Sequence, residues 1–312
     1  MAERTVVALG GNAFVPEGGE LTMAGQFRFA RDAMGRLLPV FAPDRQVLVT
    51  HGNGPQVGHM LTRVEEALGK AYAVPLEVCV AESEGELGYV LGQSLHNTLM
   101  ESGHPRPIVS VLTQVVVDRD DPAFANPTKP IGPYYDAVRA AELESRGYAM
   151  AEESGRGFRR VVPSPKPLDV VEIGIVDELL SLGIVVIAAG GGGVPVVRRG
   201  EELVGVDAVV DKDFASALLA ERLGAGLLLI LTGVPCAYAD YGRDAQRPLA
   251  RLMPAEVRSL AAAGHFPEGS MGPKMEAAAG FVERTGGHAI ITDPASAAAA
   301  LRDEAGTHVA TD

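Results

Sequence analysis

Five short apolar runs, Thr5 to Leu9, Gln46 to Thr50, Ile184 to Ala189, Leu227 to Leu231 and His288 to Thr292, set the limits on what this chain can fold into. They are continuous rather than alternating, the pattern of strands buried on both faces, as in a parallel sheet. Helical spacings stand between them: Ile173, Val176, Leu179 and Leu180, then Ala215, Leu218, Leu219 and Leu223. Strand and helix alternate, so the expected fold class is an α/β sandwich. At 312 residues the chain has room for one large domain of this kind or two smaller ones.

One stretch breaks the rhythm. From Asp118 to Lys166 the sequence is rich in proline and carries several basic residues. Prolines suppress long regular elements and favour fixed turns. Residues 118–166 are read as a small protruding subdomain or lid inserted within the 1–312 domain, with an ordinary surface insertion as the alternative.

Acidic residues outnumber basic ones, 40 to 27, for a formal charge of -13. That argues against nucleic acid as a partner, which requires a basic footprint. An anionic substrate would need positive groups concentrated at one place against the overall field. Cys79 and Cys236 are too few for a disulfide framework, the start MAERTVVALGGN lacks the apolar stretch of a signal peptide, and no apolar run is long enough to span a bilayer. A cytoplasmic protein without a membrane partner is expected.

Three glycine clusters directly follow expected strands: Gly10-Gly11-Asn12, Gly52-Asn53-Gly54, and Gly190 to Gly193. In an open parallel sheet ligands collect beyond the carboxyl ends of the strands, where glycine lets backbone N–H groups approach phosphate. One cluster alone is more often a tight turn, but three on one edge suggest a phosphate-binding rim. The common nucleotide fingerprints are missing. Gly269 to Lys274 is too short for a P-loop, with Met275 where the magnesium-binding Ser or Thr would stand, and GGNAFVPEGG does not fit G-x-G-x-x-G.

Lys274 follows Pro273, expected at the first turn of a helix from Pro273 to Arg284. A cation there opposes the helix dipole unless an anion shares the site, so a phosphate ligand is one reading and a solvated lysine the other. Lys212 lies between Asp211 and Asp213 before a helix from Phe214 to Leu223. Asp213 is either an N-cap or a group that orients lysine ammoniums. Lys129, flanked by Pro127 and Pro130, would complete a three-lysine cage from the 118–166 excursion. Phosphoryl transfer asks chiefly for alignment and charge stabilisation, so such a set can suffice without a covalent nucleophile. The histidines show no paired spacing such as H-E-x-x-H, and no metal held by protein side chains is expected.

With these residues in view the chain resembles the carbamate kinases of the amino acid kinase family, on VVALGGNA at the start, THGNGPQVG from Thr50, DPAFANPTKPIGP from Asp121, GRGFRRVVPSPKP from Gly155, AAGGGGVPV from Ala188, VVDKDFASALLA from Val209 and GHFPEGSMGPKMEAA from Gly264. The resemblance implies an αβα three-layer sandwich with a mostly parallel central sheet, a homodimer, and reversible phosphoryl transfer between ATP and carbamate giving carbamoyl phosphate and ADP, with Mg²⁺ arriving on the nucleotide. It implies that Lys129, Lys212, Asp213 and Lys274 are catalytic. Gly10, Gly11, Asn12, Gly52, Asn53, Gly54, Gly191 and Gly192 would hold the carbamoyl phosphate side, and Lys212, Gly233, Tyr238, Met271, Gly272 and Lys274 the nucleotide. Two departures stand out: Gly233 occupies the place of a usual Asp in a T-D-V motif, and Glu84 and Glu86 replace a more usual Gln and an apolar residue. Another small-acid kinase of the same family and a nucleotide-binding regulatory protein without turnover are the competing readings.

Overall fold

The structure, a computed structural model, describes residues 3–11, 22–153, 155–267 and 269–311. The five apolar runs become the strands Glu3–Leu9, Arg45–His51, Val185–Ile187, Leu227–Leu231 and His288–Thr292. They lie in an eight-stranded sheet whose spatial order is Arg251–Leu252, Thr307–Val309, His288–Thr292, Leu227–Leu231, Glu3–Leu9, Arg45–His51, Val185–Ile187 and Ile108–Ser110. Every pairing in it is parallel except that of His288–Thr292 with Thr307–Val309.

Successive side chains of a strand point to opposite faces, and both faces are covered. Val6 and Ala8 pack with Leu228 and Ile230 against Ala215 and Leu219 of the helix Lys212–Arg222 and Phe281 and Val282 of the helix Met271–Thr285. Val7 and Leu9 pack with Val49 and Leu229 against Ala30 and Met34 of the helix Met23–Arg36 and Leu91 and Leu95 of the helix Leu76–Glu101. Each fully buried Val or Leu contributes about 1.5–3 kcal/mol, so this double cover is what holds the sheet. The architecture is the expected αβα sandwich.

Two helix starts differ from expectation. The helix expected from Phe214 begins at Lys212, and its cap is Asp211, whose side chain accepts the Asp213 N–H at 2.9 Å. Asp213 is therefore not the N-cap, and its carboxylate stays available for other partners. The helix expected from Pro273 begins at Met271, so Pro273 is its third residue. Proline is still tolerated there, because first-turn N–H groups have no intrahelical acceptor.

Between residues 118 and 166 the strands Lys129–Tyr135, Gly157–Val162 and Met150–Glu153 form a separate antiparallel sheet, with the helix Ala137–Ser145 in the connection. Asp136 caps that helix by accepting the Arg139 N–H at 2.8 Å. The small sheet rests on the helix Gly54–Ala67 through Ile131 and Val162, which are buried with Val57, Met60 and Leu61. That contact brings the start of the Lys129 strand over the turn that follows His51.

Candidate active site

The glycine turns leave the carboxyl ends of adjacent strands, where they are stitched together by the backbone. Gly10 N–H donates to Leu231 C=O at 2.9 Å, and Gly52 N–H donates to Leu9 C=O at 3.0 Å. A Cβ on Gly10 would stand 2.7 Å from that Leu231 oxygen, so no other residue fits without moving the strand. Gly191 has φ of 67° and packs directly on the Asn53 carboxamide, 2.0 Å from where a Cβ would lie. The carboxamide is fixed in turn: Asn53 Nδ2 donates to Ser83 Oγ at 2.7 Å, and Ser83 Oγ donates to Val80 C=O at 2.6 Å.

Two connected clefts open along this rim. The larger, ≈ 460 Å³, is lined by Gly10, Gly11, Thr232, Gly233, Tyr238, Tyr241 and Met271 together with Lys212 and Lys274. The smaller, ≈ 250 Å³, is lined by Gly11, Gly52, Asn53, Gly54, Gly191 and Lys129, again with Lys212 and Lys274. The two lysines and Gly11 therefore stand at the junction, with Asp213 reaching the smaller side.

Asp213, 3% exposed, is the hub of the charged groups. One carboxylate oxygen accepts from the Lys212 ammonium, and the other accepts from Lys274 Nζ at 2.9 Å. Lys129 Nζ donates to Asp211 Oδ2 at 2.7 Å. Lysines from three distant stretches thus meet around one opening, tied to two carboxylates of a single helix start. Burial pushes the Asp213 carboxyl up, but Lys212 and Lys274 outweigh it and hold the group at about 2. Burial lowers the Lys212 ammonium below the usual lysine range, Asp213 opposes that, and the neighbouring charge of Lys274 adds to it. An ammonium at a helix start opposes the dipole. For Lys274 the compensating anion within the chain is Asp213.

A buried support lies behind the rim. His51 sits under Gly190, and burial lowers its imidazole to about 4, so it is neutral at physiological pH. Glu84 is buried against the same Gly190, and its Oε2 accepts the Thr113 N–H at 3.0 Å. Burial raises its carboxyl well above the ordinary range, with Glu172 adding to the effect and the backbone N–H groups of Thr113, Gly190 and Val194 opposing it. Glu84 therefore faces the interior behind the site, whereas Glu86 is half-buried.

Of the residues singled out in the sequence, Lys129, Lys212, Asp213, Lys274, Gly10, Gly11, Gly52, Asn53, Gly54, Gly191, Gly233, Tyr238 and Met271 all line one cleft or both. Gly10 lines the larger cleft and not the smaller one that holds the Gly52 turn. Gly192 and Gly272 line neither: Gly192 packs on the Val210 backbone, and Gly272 N–H donates to Pro267 C=O at 2.9 Å. Asn12 lies outside the described residues. Sequence reasoning left Asp211 without a role although it adjoins Lys212, passed over Thr232 and Ser270 although both stand in motifs it used, and missed Ser83 and Tyr241, which no local pattern marks.

The arrangement defines a class: cationic side chains and backbone donors set at the carboxyl edge of a parallel sheet, suited to a phosphoryl group. The sequence matches the family described as "Amino acid kinase family" over residues 3–293, and the chain belongs to that family. Within it, the chain is 46% identical to the carbamate kinase of Halobacterium salinarum (98% of this chain, 97% of that protein) and 42% identical to that of Thermococcus kodakarensis (98% and 99%). It is also 44% identical to the carbamate kinase-like protein YqeA of Escherichia coli (98% and 99%). Among solved structures it superposes on carbamate kinase from Giardia lamblia bound to AMP-PNP with a TM-score of 0.93 and 38% identity, covering 100% of this chain and 99% of that one.

Proposed function

We propose that this chain is a carbamate kinase that moves a phosphoryl group between ATP and carbamate, giving carbamoyl phosphate and ADP, and the reverse. The reading rests on the meeting of Lys129, Lys212 and Lys274 around the junction of two clefts, one sized for a nucleotide and one for a small acid. The carbamate kinases similar to it over nearly their whole length support the same assignment.

In the direction of ATP formation, an oxygen of the ADP β-phosphate forms a bond to the phosphorus of carbamoyl phosphate as the bond from phosphorus to the carbamate oxygen breaks. Carbamate leaves as an anion, so no proton has to be moved in this step. The catalytic task is to neutralise charge on the migrating PO₃ unit and keep entering and leaving oxygens in line. Lys212 and Lys274 stand at the junction for that role, Asp213 sets their positions, and Lys129 covers the small-acid side. With the Gly10 and Gly52 N–H groups bonded to strand carbonyls, the N–H groups of Gly11, Gly54 and Gly191, which line the smaller cleft, supply further donors. Asp211 and Asp213 are both engaged by lysines. A Mg²⁺ that enters with the nucleotide would then be held by phosphate oxygens and water.

In this reading residues 118–166 form an arm inserted in a single 1–312 kinase domain, and the enzyme works as a cytoplasmic homodimer. No helix among the described residues is long and apolar enough to cross a membrane. The deciding experiment is the initial rate of ATP formation from carbamoyl phosphate and ADP, with and without Mg²⁺. A Mg²⁺-dependent rate that disappears in Lys212→Ala supports the proposal, and a silent assay in folded protein rejects it. A clear preference for another small acid would make the protein a different kinase of the family. Nucleotide binding by calorimetry without any turnover would make it a regulatory binder.

A further inference from the structure

The strand His288–Thr292 runs parallel to Leu227–Leu231, with His288 in register with Leu227, and Leu227 with Thr5. His288 therefore lies at the amino end of the central strands, four residues of strand, about 13 Å, from the level of Leu9 and Leu231 where the lysine clefts begin. The antiparallel neighbour Thr307–Val309 brings His308 beside it, and the turn before that strand brings Asp303. His308 Nδ1 is 3.0 Å from His288 Nε2 and 3.1 Å from Asp303 Oδ1. Ligand atoms of all three residues lie within 4.8 Å of one another.

The far side of the His308 ring defines its chemistry. His308 Nε2 is 2.8 Å from Ala305 C=O, and a carbonyl only accepts, so Nε2 carries the proton. In the neutral ring Nδ1 is then a lone pair, which can accept from His288 Nε2–H at 3.0 Å and also faces the Asp303 carboxylate oxygen at 3.1 Å. A positive centre at Nδ1, either a proton shared with Asp303 or a metal ion held by all three residues, satisfies both acceptors, and the separations meet what an ion would need. Two ligand atoms bound 2.0–2.2 Å from one ion at 90–109° are about 2.8–3.6 Å apart, which matches both separations around Nδ1. The Ala305 carbonyl is also the outer partner that a metal-binding imidazole characteristically has, holding its tautomer and direction.

We propose that His288, Asp303 and His308 form a site for a borderline divalent cation of the zinc class, separate from the phosphoryl-transfer clefts, with water completing the coordination. Two imidazoles and one carboxylate suit Zn²⁺, Co²⁺ or Ni²⁺, whereas Mg²⁺ takes oxygen ligands, so this site does not compete for the metal of the nucleotide. The charged groups facing it are Arg251 and Glu3. Arg251 Nη2 lies 3.4 Å from Asp303 Oδ1, with both side chains more than half exposed. Such a pair contributes about 0–1 kcal/mol and gives way to a coordinating ion. Glu3 adds a negative charge near His288. A bound ion clamps the antiparallel strand Thr307–Val309, second from the sheet edge, and the turn preceding it to the body of the sheet. His288 and His308 are 20 residues apart, a spacing no local motif marks, so the sequence expectation of no protein-held metal did not detect them.

The test uses full-length protein, stripped with chelator and free of nucleotide, titrated with ZnCl₂ by calorimetry and with Co²⁺ by visible absorption. One ion per chain is expected, with a raised melting temperature and a Co²⁺ spectrum carrying nitrogen ligation. His288→Gln and Asp303→Asn, which leave the buried His308 in place, should each weaken binding about tenfold or more while ATP formation keeps its wild-type rate. Cys236→Ser should bind like wild type, which separates the site from the thiol. Absence of Zn²⁺ binding, or binding unchanged by both His288→Gln and Asp303→Asn, overturns the proposal.

Discussion

Replacing Asp213 by Asn keeps the shape of the hub and removes its charge. The carboxyl is held at about 2 against a reference of 3.8, an interaction of about 2 kcal/mol at neutral pH. Because the folded value is depressed, this stability is fully present above 3.8 and is lost as pH falls toward 2. Asp213→Asn should therefore lose about 2 kcal/mol at pH 7, a shift of several degrees in melting temperature, and match wild type near pH 2. The effect on rate should be larger. An Asn carbonyl accepts from one lysine while its amide N–H groups confront the other, so one ammonium is displaced from the junction. Loss of one such preorganised charge costs about 10²–10³ in kcat. Lys212 also loses the carboxylate that opposes its burial, so the alkaline limb of the pH–rate profile should move to lower pH. The assay is ATP formation from carbamoyl phosphate and ADP across pH, alongside circular dichroism melts. A folded Asp213→Asn protein with the wild-type rate and an unmoved alkaline limb would refute the hub argument.

Lys129→Met should lower kcat/KM for carbamoyl phosphate by about a hundredfold with ADP affinity by calorimetry unchanged, since Lys129 lines only the smaller cleft. Gly191→Ala should cost about 3 kcal/mol or more in denaturant melts and reduce activity, because its Cβ enters the Asn53 carboxamide at a left-handed φ. His51, lowered by burial from 6.5 to about 4, stays neutral in the folded state while the unfolded chain takes up a proton. Roughly 3 kcal/mol of stability should thus be lost between pH 6.5 and 4, and His51→Gln melts should lack that slope. Glu84 has the opposite linkage. Its folded value is raised, so stability is lost as pH rises from the ordinary carboxyl range toward that value, and Glu84→Gln should be more stable than wild type at pH 8 and indistinguishable at pH 4.

Much of the architecture was legible because its signals are local. Continuous apolar runs mark doubly covered strands, and the structure places all five as neighbours in one sheet. Glycines directly after three of them mark the rim. Helix starts were less legible: Asp211 rather than Asp213 serves as cap, since either aspartate satisfies the local pattern and only the observed backbone decides which side chain reaches the N–H. The separate sheet of residues 129–162 could be read only as an interruption, because its short strands pair with one another and rest on the helix Gly54–Ala67.

The residue types of the site were set along the chain: three lysines beside prolines or aspartates, and glycines where side chains would block the backbone. Their meeting was not. Lys129 and Asp211 are 82 residues apart, Lys274 and Asp213 61, and their contact follows from the packing of two helix starts and an inserted strand around one sheet edge. Local propensity sees neighbours within a few residues, whereas a buried ammonium requires a specific counter-charge brought by the rest of the fold. The same reason hid the pairing of His288 with His308, which exists only because an antiparallel strand returns beside its partner. The sequence alone determined the layers and the inventory of chemical groups; tertiary structure decided which of those groups share a charge, because burial and electrostatic pairing are properties of distances in space rather than of spacing along the chain.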